Sequence, residues 1–374
     1  MRVVLVITKG ELGGAQTHVL ELCRALRDRC EFLVLIGGGR QSPLRDALAS
    51  LNIATESIEP LSNSLSPRAV TASIHQVVQH ARSWGADVMH VHSAVAAVVG
   101  RIAGRIARIP VVYTVHGFAF KHQFPLVRRV VAYSGERLLA SFSKHVICVS
   151  PAERELTLRL GVPPANVSVI ANGISDNSLR ADPSREPPTL VMVARMAVQK
   201  RHDLLLEALR VLRERGVDPP RTLLAGDGPL GGELREAAKA AELSCVDFCG
   251  DITNVPDILS RSQLFVLLSR YEGHPISVIE AMRAGLPILA SDMPGIRALV
   301  TDGVEGLLTS DEPGEIAHAL QRLLGDPGLR GRLGAAARRR YELEFSASNM
   351  AEQVAAVYGD AARKPGRLFQ ELVR

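Results

Sequence analysis

The chain has 374 residues, of which 47% are hydrophobic and 22% are charged, and its formal net charge is +5. This balance is typical of a well-cored globular protein and excludes a disordered one, while the length favours two domains. No apolar run reaches the ~18 residues that a membrane-spanning helix needs. The start of the chain, MRVVLVITKG, is typical of a strand rather than a secretion signal, so we expect a cytoplasmic protein.

Apolar strands alternate with amphipathic helices along the whole chain. The strands predicted in the first half have the sequences VVLVIT, FLVLIG, DVMHVH, PVVYTVH, HVICVS and VSVIAN. Their near-continuous Val, Ile and Leu content indicates strands buried on both faces, as in a parallel sheet between two helix layers. The same alternation restarts after a proline-rich stretch, with strands at TLVMVAR, RTLLAGDG, VDFCG, LFVLLS and PILASD.

The sequence therefore predicts two doubly wound α/β domains. We place the first at residues 1–178, a linker at 179–188, the second domain at 189–345, and a helical tail at 346–374 that packs back on the first domain. Such sheets bind ligands at the carboxyl ends of their strands. We accordingly expect a site in a central cleft that the two domains face.

The charge is uneven, since residues 1–170 carry about +8 and residues 171–374 about −3. A basic half indicates an anionic partner such as a membrane surface or a phosphorylated substrate, although solvated arginine-rich faces explain it too. No nucleic-acid-binding module is present, so nucleic acid is not expected. Cys245 and Cys249 lack a second ligand pair at zinc spacing, and we predict reduced thiols and no metal site.

Two short segments follow strands of the first domain. Gly13 and Gly14 precede a helix, where glycines let backbone N–H groups approach a phosphate, although a turn would use the same pair. His116 follows YTV, where a neutral imidazole can bond a ligand hydroxyl; a lone histidine is more often structural. We give His90 and His92 that structural interpretation.

Two cations and two carboxylates lie near strand ends of the second domain. Arg195 and Lys200 suit a diphosphate, or are surface charges. The loop RYEGHP holds Glu272, and Glu280 follows on the next helix, whose first N–H groups can hold a phosphate. The two carboxylates would lie ~10 Å or more apart, which is wide for a hydrolytic pair and suits hydrogen bonds to sugar hydroxyls. Two ordinary surface glutamates would also explain the pattern.

The motifs together resemble the retaining glycosyltransferases of family 4, which have the GT-B fold. The resemblance rests on the E-x7-E spacing of Glu272 and Glu280, on GDGP at 226–229, on NGI at 172–174, and on the cation and glycine pairs named above. It implies metal-independent transfer of a sugar from a nucleotide sugar, with a UDP-sugar favoured, and with retained anomeric configuration. The acceptor would be a glycan or a polyisoprenyl-linked glycan of the kind used in bacterial surface polysaccharide synthesis.

The resemblance also implies roles for individual residues. Glu272 and His116 would face the transferred sugar as catalytic residues, and Arg195 and Lys200 would bind the donor diphosphate. Glu280 would bind the ribose. The remaining donor-binding positions that it implies are Gly13, Gly14, Asp251, Ile252, Asn254, His274, Pro275, Ile276 and Ser277. The family often has Phe where this chain has His274, a difference that would affect the donor pocket.

The segment HGFAFKHQFPLVRRVVAYSGERLL resembles acceptor-side segments of these enzymes. It mixes aromatic and basic residues that suit peripheral contact with the inner face of an anionic membrane, namely Phe118, Phe120, Lys121, Phe124, Arg128 and Arg129. An ordinary amphipathic helix is the alternative. Three other functions compete: a dinucleotide-dependent oxidoreductase, which lacks its G-x-G-x-x-G here, a GT-B sugar-nucleotide epimerase, and a non-catalytic nucleotide-sugar-binding protein.

Overall fold

The computed structural model describes residues 1–11, 13–39, 41–62, 66–118, 120–121 and 125–363. It divides into two compact units, one formed by Met1–Gly173 with the chain from Ala347 onward, the other by Ile174–Ser346. The first unit thus ends a few residues before the predicted boundary at 178. The linker predicted at 179–188 lies within the second unit.

The first unit is built on a seven-stranded parallel sheet with the order β3-β2-β1-β4-β5-β6-β7 among the described residues. Its strands are β1 (Arg2–Ile7), β2 (Glu31–Gly37), β3 (Ala54–Ile58), β4 (Val88–His92), β5 (Val111–Val115), β6 (His145–Cys148) and β7 (Val167–Val169). The helices between them are α1 (Gly14–Leu26), α2 (Pro43–Ala49), α3 (Pro67–Trp84), α4 (Ala94–Ala107), α5 (Leu126–Leu139) and α6 (Pro151–Arg159).

The strand β1 shows why its sequence forms a central strand. Successive side chains of a strand point to opposite faces of the sheet. Accordingly Val3, Leu5 and Ile7 belong to one buried cluster, and Val4 and Val6 belong to the other. Both faces are therefore covered by helices, as the continuous apolar run predicts.

The second unit is built on a six-stranded parallel sheet with the order β10-β9-β8-β11-β12-β13 in the part of the chain that is described. Its strands are β8 (Thr189–Val193), β9 (Arg221–Ala225), β10 (Val246–Gly250), β11 (Leu264–Leu267), β12 (Ile288–Ser291) and β13 (Gly306–Thr309). Its helices are α7 (His202–Glu214), α8 (Gly231–Ala240), α9 (Val255–Ser260), α10 (Ile276–Ala284), α11 (Pro294–Arg297), α12 (Pro313–Gly325) and α13 (Pro327–Glu344). The predicted α/β class with two doubly wound sheets is confirmed.

The last described helix, α14 (Ala347–Ala362), belongs to the first unit. Its buried Met350, Val354 and Tyr358 share a core cluster with Leu22 and Leu26 of α1. The residues predicted as a C-terminal tail thus supply part of the first unit's core. Among the described residues, every helix is too short or too polar to cross a membrane.

Candidate functional site

The second unit's candidate site lies at the carboxyl ends of β8 and β11, which are neighbours in the sheet. The segment after β8 carries Arg195 and a 3₁₀ turn at Val198–Lys200, and the loop after β11 carries Glu272. Because parallel strands end at the same edge, the pairing of β8 with β11 brings these two segments together. Residues 72 positions apart in the sequence thereby become neighbours.

Lys200 and Glu272 form an ion pair at this edge. The Nζ atom of Lys200 lies 2.5 Å from Oε1 of Glu272, and the Ser269 hydroxyl donates to the same oxygen at 2.7 Å. The side chains are 19% and 7% exposed respectively, so the pair is largely withdrawn from solvent. A carboxylate held by two donors has a fixed position and retains lone pairs for a ligand hydroxyl.

The backbones of the two segments are also joined. The Gln199 side-chain amide donates to the carbonyl oxygen of Tyr271 at 2.8 Å, and the Arg270 N–H donates to the carbonyl oxygen of Gln199 at 2.8 Å. These bonds fix the approach of the β8 segment to the β11 loop. The Lys200–Glu272 pair therefore rests on an ordered backbone rather than on two free side chains.

Arg195 behaves differently from Lys200. Its side chain is exposed, and across the described ranges its guanidinium has no hydrogen-bond or ion-pair partner. The neighbouring Arg201 pairs instead with Asp203 at 3.1 Å and Asp311 at 3.6 Å. Of these cations, Arg195 is thus the one whose charge is most available to an anion from solution.

Three glycines allow the loops at this edge to approach one another. A Cβ atom on Gly226, whose φ is +124°, would lie 2.3 Å from the carbonyl oxygen of Ala194, and one on Gly228 would lie 2.4 Å from that of Met196. A Cβ on Gly295 would lie 2.4 Å from the carbonyl oxygen of Glu272. Real Cβ atoms do not occupy such positions, so glycine is required at all three. GDGP was noted in the sequence, whereas Gly295 and Ser269 were missed because nothing local marks them.

The helix α10 begins directly after the β11 loop. Its N-cap is Pro275, and no side chain caps its first N–H groups, which include those of Ile276 and Ser277. The helix ends at Gly285, which has a φ of +84° and whose N–H donates to the carbonyl oxygens of Ala281 and Met282. An uncapped helix N-terminus beside a carboxylate loop is suited to an anion. Glu280 lies half-buried on this helix.

The remaining predicted residues of the second unit have contacts within the fold. The His274 ring is buried and packs edge-on against Phe345, with ring centroids 5.6 Å apart. Asp251 Oδ1 accepts from the Asp227 N–H at 2.9 Å, and Asn254 caps α9. The side chains of Asp251 and Asn254 therefore stabilise turns, although both residues are exposed. Ile252, between them, is half-buried.

In the first unit, the predicted glycine pair begins helix α1. Gly13 is its N-cap, and no side chain caps this helix. A Cβ on Gly14 would meet none of the described atoms within 4 Å, and one on Gly13 would meet only Gln16, at 3.1 Å. Packing within the described part of the first unit therefore does not require glycine at position 14. The close approach of a ligand to the Gly14 backbone stays a prediction.

His116 lies in a group of histidines at the carboxyl ends of β4 and β5. Its Nε2 atom is 3.3 Å from Nδ1 of His92, and its ring lies edge-on to that of His18, with centroids 4.9 Å apart. His90, in contrast, bonds Tyr358 at 2.6 Å and Thr114 at 2.7 Å through its two ring nitrogens. A purely structural role therefore fits His90, whose two ring nitrogens are bonded within the fold. His92 instead contacts His116, the predicted site residue. His18 was missed by the sequence analysis.

The aromatic and basic segment before α5 packs against the first unit. Phe118 is buried and stacks on Phe120 with ring centroids 4.6 Å apart, and Lys121 pairs with the buried Glu153. Phe120 is half-buried, so these three side chains have contacts within the fold, and membrane contact through them stays a prediction. Phe124 lies outside the described residues.

The exposed apolar surface lies instead on α5. Five of its large apolar side chains are 57–77% exposed: Leu126, Val127, Val130, Val131 and Leu138. The predicted basic residue Arg128 is exposed beside them, while Arg129 donates to the Phe120 carbonyl oxygen at 3.3 Å. We call this surface the α5 face.

Comparison with known proteins identifies the class. The profile of the family described as "Glycosyl transferases group 1" matches residues 176–340, and that of "Glycosyltransferase Family 4" matches residues 12–178. The chain is 31% identical to the alpha-maltose-1-phosphate synthase of Mycobacterium tuberculosis, over 92% of this chain and 95% of that protein. It is also 31% identical to the UDP-Gal:alpha-D-GlcNAc-diphosphoundecaprenol alpha-1,3-galactosyltransferase of Escherichia coli, over 64% of this chain and 67% of that protein.

Solved structures agree on the fold. The Anabaena HepE protein in complex with UDP-glucose superposes with a TM-score of 0.82 at 24% identity, covering 96% of this chain and 100% of that one. The sucrose-phosphate synthase of Thermosynechococcus elongatus gives a TM-score of 0.79 at 22% identity, covering 96% and 98%. The fold is therefore GT-B. The chain belongs to glycosyltransferase family 4, within the group 1 glycosyl transferases, and it is a glycosyltransferase.

Proposed function

We propose that this enzyme transfers a sugar, with retained anomeric configuration, from a UDP-sugar to a glycan or polyisoprenyl-linked acceptor. The observation that carries the donor assignment is the arrangement of Lys200, Glu272 and Ser269 next to the exposed Arg195 and the uncapped start of α10. Cations and helix N–H groups bind phosphate oxygens, and a fixed carboxylate binds sugar hydroxyls. HepE, which shares the fold, was solved with UDP-glucose.

The division of charge at this edge supports distinct roles. Lys200 is largely neutralised by Glu272 in the free enzyme, so a diphosphate would meet the whole charge of Arg195 and a partly compensated Lys200. In the proposed complex, Glu272 accepts hydrogen bonds from the donor sugar, and Glu280 accepts from the ribose. His116 keeps its predicted role as a second catalytic residue.

We further propose that protein cations and helix N–H groups, rather than a divalent metal, stabilise the leaving diphosphate. Transfer is then expected to continue at an undiminished rate in excess EDTA. Loss of activity on chelation, with recovery on adding Mg²⁺ or Mn²⁺, would contradict this proposal.

The donor and the stereochemistry are tested by one set of experiments. A thermal-shift panel with UDP, GDP and ADP and their sugars should show the largest rise in Tm with one uridine ligand, because a ligand of the native state stabilises it. The product made from that donor should retain the α configuration of the donor, as measured by NMR of the anomeric proton. An inverted product would reject retention. Conversion of the donor without any acceptor would instead indicate an epimerase.

The acceptor proposal rests on the E. coli relative and on the α5 face. By its name, that relative uses a diphosphoundecaprenol-linked acceptor, which is a membrane lipid. An exposed apolar helix face with an adjacent arginine suits the interface of an anionic membrane, and the first half of the chain carries the excess positive charge. We therefore propose that the α5 face rests on the inner surface of the membrane where such an acceptor would be found.

A further inference from the structure

Three histidines of the first unit form a compact group that we call the histidine cluster: His18, His92 and His116. One ring nitrogen from each lies within 4.8 Å of the others. The three ring centroids are 4.9 Å, 5.3 Å and 5.5 Å apart, so the rings surround a common point. His18 and His92 have no exposed surface.

The protonation of His18 follows from its neighbour. Its Nδ1 lies 3.0 Å from the carboxamide oxygen of Asn172, and because that oxygen can only accept, Nδ1 carries the proton. The lone pair is then on Nε2, which is buried and has no hydrogen-bond partner in the described part of the chain. A buried polar atom without a partner is costly and calls for an explanation, such as a bound ion.

Neutral imidazole is the form that ligates metals, and it does so through the ring nitrogen that carries no proton. The Asn172 contact is of the kind that orients a metal-bound histidine and fixes its tautomer.

The distances can be compared with a metal centre. Two nitrogens bound at 2.0–2.1 Å to a tetrahedral ion lie ~3.3–3.4 Å apart. The separation of His92 Nδ1 from His116 Nε2 is 3.3 Å. The other two nitrogen–nitrogen separations are at most 4.8 Å. The rings would therefore have to move by ~1.5 Å or less relative to one another to bring all three nitrogens to metal-binding distances.

We propose that His18, His92 and His116 bind one divalent cation of the zinc class, with Asn172 orienting His18. A set of three imidazoles selects Zn²⁺, Co²⁺ or Ni²⁺ over Mg²⁺ and Ca²⁺, which prefer oxygen ligands. The site goes beyond the proposed function, for which no metal is needed. Binding would draw the Nε2 lone pair of His116 onto the cation, and zinc would therefore inhibit transfer; only this last step rests on the proposed role of His116.

Direct binding is the primary test. The full chain, freed of metal, is titrated with Zn²⁺ by calorimetry and with Co²⁺ by visible absorption, whose d–d bands report nitrogen coordination. We expect one saturable site per chain and a more than tenfold loss of affinity in both His18→Gln and His92→Gln. Asn172→Ala keeps all three ligands and should weaken binding by about 10- to 100-fold. Circular dichroism and Tm confirm that each variant is folded.

Two control variants separate this site from other zinc ligands. His318→Gln removes an exposed histidine of α12, and Cys249→Ser removes an exposed thiol. Both should bind zinc as the unchanged chain does. Absence of a saturable site, or binding that survives His18→Gln and His92→Gln but is lost with Cys249→Ser, would overturn the proposal.

An activity measurement distinguishes this inference from the proposed function. Zn²⁺ should inhibit transfer, and EDTA should restore it. If calorimetry shows the site but saturating Zn²⁺ leaves transfer unchanged, the metal site is supported and the proposed role of His116 is rejected. If zinc inhibits a chain in which calorimetry finds no site at the cluster, the metal site is rejected.

Discussion

The ammonium of Lys200 lies 2.5 Å from the carboxylate of Glu272, although the sequence analysis assigned them to different parts of one donor. The resemblance implied that Lys200 binds the donor diphosphate and that Glu272 contacts the transferred sugar. Their contact means that each sets the charge and position of the other before any donor is bound. Substitutions at the two positions are therefore expected to be coupled rather than additive.

Arg195→Ala should weaken UDP binding by about 1.5–3 kcal/mol and leave uridine binding nearly unchanged, because a charged hydrogen bond to phosphate is lost. Lys200→Ala should do the same and also lower kcat, because Glu272 loses one of its two donors. Calorimetric titration with UDP and uridine measures both effects. Arg221→Ala, at the amino end of β9, is the matched control and should change neither affinity. Equal losses for UDP and uridine would reject the diphosphate assignment.

Glu272→Gln should lower kcat more than donor affinity. Glutamine keeps the shape but removes the negative charge that can stabilise positive charge developing on the sugar ring. Glu280→Gln should mainly raise KM for the donor, because a ribose contact is similar in the ground and transition states. Steady-state kinetics separates the two patterns. A severe fall in kcat with unchanged KM in Glu280→Gln would show that this division of roles is wrong.

Gly295→Ala should lower both Tm and kcat. The added Cβ would lie 2.4 Å from the carbonyl oxygen of Glu272, so the β11 loop would have to move and carry the Glu272 side chain with it. Gly325→Ala is the control, because a Cβ there meets none of the described atoms within 4 Å. Thermal unfolding and kinetics check both variants. A Gly295→Ala enzyme with unchanged kcat would show that the loop position does not matter for transfer.

The buried histidines should make the first unit sensitive to acid. Burial lowers the pKa of His18 to about 4, below its unfolded value of 6.5, so the unfolded chain takes up a proton first as pH falls. The contribution of the neutral His18 to the free energy of unfolding is therefore fully present above pH 6.5 and is lost as the pH falls from 6.5 to about 4. His18 alone should contribute a loss of about 1.4 kcal/mol at about pH 5.5 relative to neutral pH.

Urea unfolding at neutral and acidic pH measures this loss. His18→Gln should show a smaller pH dependence than the unchanged chain, and the exposed His318→Gln should show the same dependence. If removing His18 leaves the pH dependence of the unfolding free energy unaltered, the buried imidazole is not the cause of the acid sensitivity.

The α5 face should bind anionic vesicles in a salt-dependent way. Val127→Asp places a charge at a side chain that is 77% exposed, and should reduce co-sedimentation with anionic vesicles while the fold is retained. Val304→Asp makes the same change at an exposed valine of the second unit and should have no effect. Equal binding to neutral and anionic vesicles at low salt would remove the electrostatic basis of this proposal.

The sequence was most informative where a pattern is local. Unbroken apolar runs predicted the buried parallel strands of both sheets. Contacts between distant segments were not predictable in the same way. The sequence around Lys200 and Glu272 does not indicate that β8 and β11 are neighbours in the sheet. The sequence around Gly295 likewise does not indicate its contact with the Glu272 backbone.

The histidines show the same limit. His90 and His92 are two residues apart on one strand, so their side chains point to the same face of the sheet and the sequence gives no basis for separating their roles. The environment of His90 is supplied by Tyr358 and Thr114, and that of His92 by His116 and His18. The role of each histidine therefore depends on segments far away in the chain, and His18 gave no signal by itself.

The return of α14 to the first unit has a consequence for the order of events on the ribosome. The α1 side of the first sheet takes Met350, Val354 and Tyr358 into its core, and these residues are translated after the whole of Ile174–Ser346. The second unit is continuous in sequence and can close as soon as it has left the exit tunnel. The core of the first unit therefore cannot be completed until the second unit and then α14 have been translated, and the apolar surface that α14 covers stays exposed until then. Nascent chains stalled before Ala347 should accordingly expose the first unit to proteases and chaperones.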